Sequence, residues 1–318
     1  MPLPTSDILG IFQDNLEKRE SVLPLSKGAV TKWAKGLNIP KGGETVLYTG
    51  EMYQLVSYIN LMVSYIEKIE DSPLSRFVKL GRMVNKVFNI SALMLLLGKG
   101  RSEPYDRILR NIALLLQKAG ISYGYLYEDE LYCGALAYRA GLDDSVEKHA
   151  RRVYRMLKEH GVKNLITVDP HTTDLFRIIY PSILGEFDIS VKSYMEVLVE
   201  RELSPERAVD MEVVMHDSCC YARYEGVIVQ PRMLLEKAQF RIKEPKDSGV
   251  FTMCCGGPIE ALRPKSAYRI AEKRVEQLKA AGENIVVTCP ICHASLSRAA
   301  RNGIKIDDLS TFLAMAYL

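Results

Sequence analysis

Six of the chain's seven cysteines fall between positions 219 and 292, in three tight groups. Cys219 and Cys220 sit in HDSCCYAR, Cys254 and Cys255 in MCCGGP, and Cys289 and Cys292 in TCPICH. Thiolates are the natural ligands of zinc and of iron–sulfur clusters. Gly256 and Gly257 follow the second group. Without side chains they let backbone approach a cluster sulfide and offer N–H donors. Cys289-Pro-Ile-Cys292 is a clamp where a strand gives way to a helix, whose positive end favours thiolate. His216, Arg223 and His293 flank these groups. They are candidate catalytic residues, suited to stabilising negative charge on the site or on a substrate thiolate.

Plainer readings compete. Buried cysteines often serve as small hydrophobes. A structural zinc would use four of the thiols and make the chain an assembly or anchor subunit without catalysis. Six candidates exceed the demand of a tetrahedral ion, and adjacent cysteines do not easily chelate one metal. The surplus favours a larger cluster.

The totals narrow the setting. A chain of 318 residues is long enough for two ordinary domains or one large one. With 47% hydrophobic and 25% charged residues it is globular in composition. The net charge of +3 is too mild for a nucleic-acid partner, and Lys and Arg alternate with acids in EKRES, EKHARR and EKRVEQ. The start has early acids and no secretory pattern. The longest apolar run, Ile90 to Leu97, falls short of the roughly 20 residues of a transmembrane segment. The expected location is cytoplasmic. There, an odd cysteine count with a C-x-x-C points to metal or redox chemistry rather than disulfides.

The elements that must position these groups alternate. Residues 1–44 read as a helical N-terminal extension, with Thr5-Ser6-Asp7 capping a helix from Ile8 to Glu20 and a second helix over 30–37. Helices are expected over 53–68, 74–97, 105–119, 145–161, 172–180, 194–200, 231–238, 266–281 and 309–317. Strands are expected over 45–50, 121–127, 164–169, 187–193, 211–217, 249–254 and 284–289. This alternation predicts an α/β fold with mostly parallel sheets flanked by helices. One unit is used twice. NLITVDPHT (164–172) aligns with NIVVTCPIC (284–292) at an offset of 120. YCGALAYRAG (132–141) aligns with CCGGPIEALR (254–263), and FDISVKSYMEVL (187–198) with IKIDDLSTFLAM (304–315). In each half the candidate ligands sit at the carboxyl ends of strands, where open α/β sheets bind ligands.

The pattern C-x(34)-CCG-x(32)-C-x-x-C, preceded by HDSC, resembles the cysteine-rich CCG domain of heterodisulfide reductase B-like proteins and their relatives. The resemblance covers about residues 45–318 as two pseudo-symmetric tandem copies, 45–205 and 206–318. It implies a non-cubane [4Fe-4S] cluster held by Cys219, Cys254, Cys255, Cys289 and Cys292. Cys220 stands where relatives tend to have His, and reads as an extra ligand, a substrate-facing thiol or an inert residue. The N-terminal copy departs from the pattern: Glu51, Tyr132-Cys133-Gly134 and Asp169-Pro170-His171-Thr172 replace its cysteines. Glu51, Cys133, Asp169 and His171 form a mixed set, either a decayed site or a site for one metal such as zinc.

The resemblance further implies disulfide/thiol or sulfur-transfer redox chemistry within a complex. No ferredoxin cysteine run and no G-x-G-x-x-G is present, so electrons must come from partners: a ferredoxin-type iron–sulfur subunit and a flavoprotein subunit. One complete motif fits a dithiol or lipoyl carrier better than a two-cluster heterodisulfide site. The alternative within the family is an iron–sulfur subunit of a 2-hydroxy-acid (lactate or glycolate) or succinate dehydrogenase-type complex.

Overall fold

The computed structural model describes residues 3–73, 77–86, 102–301 and 303–318. Seven strands form among them, in two wholly parallel sheets. The first sheet has the order β1 (Thr45–Tyr48), β2 (Asn164–Thr167), β3 (Ser190–Ser193). The second sheet comprises β4 (Glu212–His216), β5 (Arg241–Lys243), β6 (Asn284–Val287) and β7 (Lys305–Asp308), in the order β5-β4-β6-β7. Val46, Leu47, Leu165, Ile166, Val213, Val214, Ile285 and Val286 are buried, as short apolar runs covered on both faces must be. The α/β fold with two pseudo-symmetric halves is therefore as expected.

The register supplies the internal correspondence. Thr45 pairs with Asn164, and Val214 pairs with Ile285. Since Asn164 and Asn284 are equivalent, Thr45 corresponds to Val213, and Glu51 falls on Cys219. β3 and β7 lie beside β2 and β6 in the same sense.

Several expected elements differ. The strand over 121–127 reduces to isolated bridges of Gly124 with Val46 and Tyr125 with Lys41. Gly124 passes so close to the Gly42 carbonyl that a Cβ would sit 1.6 Å from its oxygen. The strand over 249–254 is a single turn, Gly249–Phe251, because Gly249 takes φ +57° and the chain bends toward the second cysteine pair. The first helix, Thr5–Arg19, begins directly after Pro4 with no side-chain cap, so Thr5-Ser6-Asp7 lies inside it. Of the helix expected over 74–97, the part Phe77–Asn85 is described; the run Ile90–Leu97 lies outside the described residues. Among the described residues no helix is long and apolar enough to cross a membrane.

The N-terminal segment is tied down. Ser145 donates to Glu17 at 2.7 Å, and Lys27 donates to the Glu130 carbonyl at 3.1 Å. The two halves are joined by helix Met52–Ile69, whose Tyr53 hydroxyl donates to Asp308 at 2.5 Å in the core. Asp308 also caps helix Leu309–Tyr317 through the Ser310 amide. Tyr53→Phe removes a buried hydrogen bond to a carboxylate, so unfolding free energy should fall by about 2 kcal/mol. Urea unfolding checks this; an unchanged midpoint would contradict the contact.

Glu130 is buried and accepts from the amide and hydroxyl of Thr49. Burial nevertheless raises its pKa from 4.5 to about 8. The folded state thus keeps a proton that the unfolded state releases, and this contribution is present in full below pH 4.5 and lost as pH rises through about 8. The wild-type melting temperature should therefore drop between about pH 5 and 8.5 more steeply than that of Glu130→Gln. Parallel slopes for the two proteins would refute this.

Candidate metal centre

The three cysteine groups meet at the carboxyl ends of β4 and β6. Cys219 and Cys220 follow β4 directly, and Cys289 ends the β6 segment as the N-cap of helix Pro290–Ala299, with Cys292 in its first turn. Cys254 and Cys255 arrive on a loop that is tightly held. Asp217 receives both terminal nitrogens of Arg232, at 2.8 and 2.9 Å, and also the Gly249 amide at 2.7 Å. Thr252 donates to the Asp217 carbonyl, and Ser295 to the Cys255 carbonyl at 2.7 Å. Gly256 has φ +84°, and a Cβ there would lie 2.4 Å from the Ala267 carbonyl oxygen. A Cβ on Gly257 would strike Ile291 at 2.3 Å and lie 3.4 Å from the Cys255 sulfur. Neither position tolerates a side chain. The Gly256 amide donates to the Cys254 sulfur at 3.3 Å.

All seven cysteines are free thiols. Those of the cluster touch in a chain: Cys254 with Cys255, Cys255 with Cys292, and Cys292 with Cys289, while Cys219 bonds Cys220. Hydrogen bonds from Cys254 and Cys292 hold Cys255 well below the usual thiol range, with His216 adding to them. At Cys289 burial favours the neutral thiol, but Cys292 and the charge of His171 outweigh it and favour thiolate. A hydrogen bond from Cys220 brings Cys219 down to about 7, and Cys220 itself is pushed up. Among the described residues, no three His, Cys, Asp or Glu side chains close on one point as a single ion requires. The donor set is thus soft, mostly buried and spread over several neighbouring sulfurs. That fits a multi-iron cluster better than one zinc.

Of the three flanking candidates, His216 meets the thiols. Its Nδ1 accepts from Arg274 Nε at 3.2 Å, which leaves the proton on Nε2. That nitrogen is buried without a hydrogen-bond partner, and the ring lies near Cys255, whose thiolate it favours. Arg223 is a correction: its guanidinium donates to the carbonyls of Val250 and Thr252, bracing the cysteine loop from its outer side. His293 is another. Its ring stands edge-on to Tyr105, with Nδ1 3.3 Å from the tyrosine hydroxyl and Nε2 3.9 Å from Asp307.

The N-terminal half supplies what these two do not. His171 Nε2 lies 3.4 Å from the Cys289 sulfur and its Nδ1 3.6 Å from the Cys220 sulfur. Burial opposes the charged ring, yet the Cys289 thiolate raises its pKa to about 9. Arg139 donates to the Cys220 sulfur at 3.3 Å and pairs with Asp174. The other members of the mixed set do not gather round an ion. Asp169 accepts from the amides of His171 and Thr172 and from the Thr172 hydroxyl, and Glu51 is buried, which raises its pKa to about 7. Cys133 is buried against Thr172, 3.5 Å from its hydroxyl. A Cβ on Gly50 would lie 2.3 Å from Thr172 Oγ1 and 3.0 Å from the Cys133 sulfur, so the pseudo-equivalent of the cluster site is packed shut.

The cysteine-rich domain family, CCG, matches residues 97–172 and 213–297. The chain belongs to this family. The second CCG match contains all six clustered cysteines, and the first contains Cys133, Asp169, His171 and Thr172. Over 230 residues the chain is 31% identical to the EtfAB:quinone oxidoreductase of Syntrophomonas wolfei, covering 66% of this chain and 32% of that protein. It is 29% identical over 213 residues to a subunit of the dihydromethanophenazine:CoB–CoM heterodisulfide reductase of Methanosarcina mazei, covering 61% and 50%. To a subunit of the fumarate reductase (CoM/CoB) of Methanothermobacter marburgensis it is 28% identical over 202 residues, covering 60% and 39%. The chain thus spans about a third to a half of the length of these CCG relatives, whose names are those of oxidoreductases or their subunits.

Arg139 and Arg274 escaped the sequence reading. Arg274 left a trace: it occupies the buried stripe of helix Pro264–Lys279 with Ala267, Ala271 and Leu278. A charge at an apolar-stripe position is a signal of a buried polar network. Arg139 left none, since its partner Cys220 lies 81 residues away.

Proposed function

We propose that this chain is the iron–sulfur subunit of a heterodisulfide-reductase-like complex. It binds one non-cubane [4Fe-4S] cluster through Cys219, Cys254, Cys255, Cys289 and Cys292. It serves disulfide/thiol or sulfur-transfer redox chemistry, with a lipoyl-type dithiol as the favoured carrier. The observation that carries this reading is the meeting of three thiol groups at parallel strand ends within a CCG match. Its partners are a ferredoxin-type iron–sulfur subunit and a flavoprotein subunit, and it works in the cytoplasm.

When bound, such a cluster supplies single electrons and a Lewis-acidic face for sulfur. The chain's own residues set the conditions. Reductive cleavage of R–S–S–R′ consumes two electrons and two protons and yields RSH and R′SH. Negative charge develops on sulfur as the S–S bond breaks. Arg139 and the His171 ring lie where they meet such charge, and Arg139 is charged at any working pH. His216 lies near Cys255 and favours negative charge on that sulfur. Gly256 and Gly257 let backbone approach the sulfurs.

Anaerobically purified, reduced chain mixed with oxidised lipoamide tests the reading. Reoxidation with one disulfide cleaved per two electrons is expected. An iron-loaded chain that lipoamide leaves reduced would overturn the sulfur chemistry. A second reading, electron relay to a quinone, draws on the name of the Syntrophomonas relative. It predicts reoxidation by a benzoquinone instead.

A further inference from the structure

A cavity of about 200 Å³ opens between the two halves beside the thiols. Its walls are apolar: Phe12 from the first helix, Leu23 from the loop after it, Met62 from helix Met52–Ile69, Leu136 from the first half, Ile259 and Ile291 from the second. Three ionisable side chains reach it, Arg139, His171 and Glu260. Glu260 is buried and paired with Arg298 at 2.5 Å. The other two are the groups that touch Cys220 and Cys289. The cavity therefore has a greasy length and one polar end, and that end is the thiol site.

Phe12, Leu23 and Met62 also line a second groove of about 200 Å³, between helices Thr5–Arg19, Met52–Ile69 and Phe77–Asn85. Ile8, Ile66 and Val78 are among its walls, and Tyr65 and Asn85 are the polar side chains among its described lining residues. The two spaces share these three walls, so an apolar arm in the first lies against side chains that also border the second. A ligand arm bearing charges or repeated peptide groups along its length would leave those groups unpaired along this wall, at a cost the wall gives nothing to offset. An alkyl or prenyl arm loses nothing and removes its surface from water.

We infer that the site takes a small molecule with an apolar alkyl or prenyl tail and a compact electron-rich head. The tail lies along Met62, Leu23 and Leu136, and the head accepts hydrogen bonds from Arg139 and His171. This names the substrate class of the site proposed above, and the role of the head rests on that reading. A dithiolane sulfur and a quinone carbonyl share the required head chemistry. The apolar lining disfavours a peptide or a charged thiol as the preferred ligand.

Equilibrium binding to the iron-containing chain tests the inference, with three probes: decyl-benzoquinone, lipoamide and oxidised glutathione. The first two should saturate one site per chain and the third should not. The tighter of the two identifies the head. Met62→Trp and Leu136→Trp fill the slot and should weaken binding at least about tenfold, with iron content unchanged. Met62 lies away from the thiols, so its variant still decides the matter if Leu136→Trp disturbs the iron. Equal binding of glutathione disulfide, or full affinity in Met62→Trp, would overturn the inference. So would the absence of saturable binding by either tailed probe, which would leave the groove to an apolar segment of a partner protein. Loss of iron from the wild-type chain would instead count against the proposed cluster, while the tail contacts would still be measurable.

Discussion

A Cys289→Ser chain is expected to purify with less than about one iron, against about four for the wild type and for Cys220→Ser. Cys289 is buried, ends the β6 segment and caps helix Pro290–Ala299, so its sulfur cannot be replaced by a neighbour without moving the sheet. Serine at this position offers a harder donor with a far higher pKa, which iron in a cluster does not retain well. It would also leave the His171 ring facing a hydroxyl instead of a thiolate. Cys220 differs in kind. Its sulfur is contacted by Arg139 and His171 of the other half, and its nearest thiol is its own neighbour Cys219. Iron quantitation on both variants separates the roles. Full iron in Cys289→Ser, or none in Cys220→Ser, would reverse the assignment.

Arg274→Met should have the second large effect, on stability and on redox potential together. The wild-type guanidinium is fully buried and serves three partners: His216 Nδ1 at 3.2 Å, Gln277 at 3.0 Å and Thr252 at 3.4 Å. Methionine fills much of the volume but leaves those acceptors unpaired, for a loss of about 2–3 kcal/mol of unfolding free energy. The redox effect follows from His216. Once Arg274 no longer donates to Nδ1, the proton is free to sit on that nitrogen, and the N–H toward Cys255 is lost. Hydrogen bonds to cluster sulfurs stabilise the reduced, more negative state, so losing one shifts the potential downward. His216→Phe should give the same sign with a smaller change in stability. A purely structural role for Arg274 would lower stability and leave both potentials where they were.

Much of this architecture was legible before any coordinates. The offset of 120 between NLITVDPHT and NIVVTCPIC reappears as β2 and β6, each flanked by parallel neighbours. The helix expected over 309–317 is the one found, Leu309–Tyr317. Short edge elements were not legible. β5 has three residues, and exposed Arg241 and Lys243 flank half-buried Ile242, which gives no apolar run to detect. The turn at Gly249–Phe251 was mistaken for a strand because an apolar run carries no record of backbone bends. The first half's lost cysteines read as a decayed site able to line the pocket facing the second half's thiols, and His171 and Arg139 are the residues that reach across to those sulfurs. Contacts between residues about a hundred positions apart have no local pattern. Arg223 and His293 sit close to the motif in sequence, yet their side chains turn to Val250, Thr252 and Tyr105.

The central claim is that the second half alone carries a multi-iron cluster, while the first half is packed shut and lends it cations. Iron, acid-labile sulfide and zinc measured on one anaerobically purified sample test this most directly. The account predicts about four irons and about four sulfides per chain, with no stoichiometric zinc. One zinc without iron would contradict the cluster, and about eight irons would contradict the closed first site.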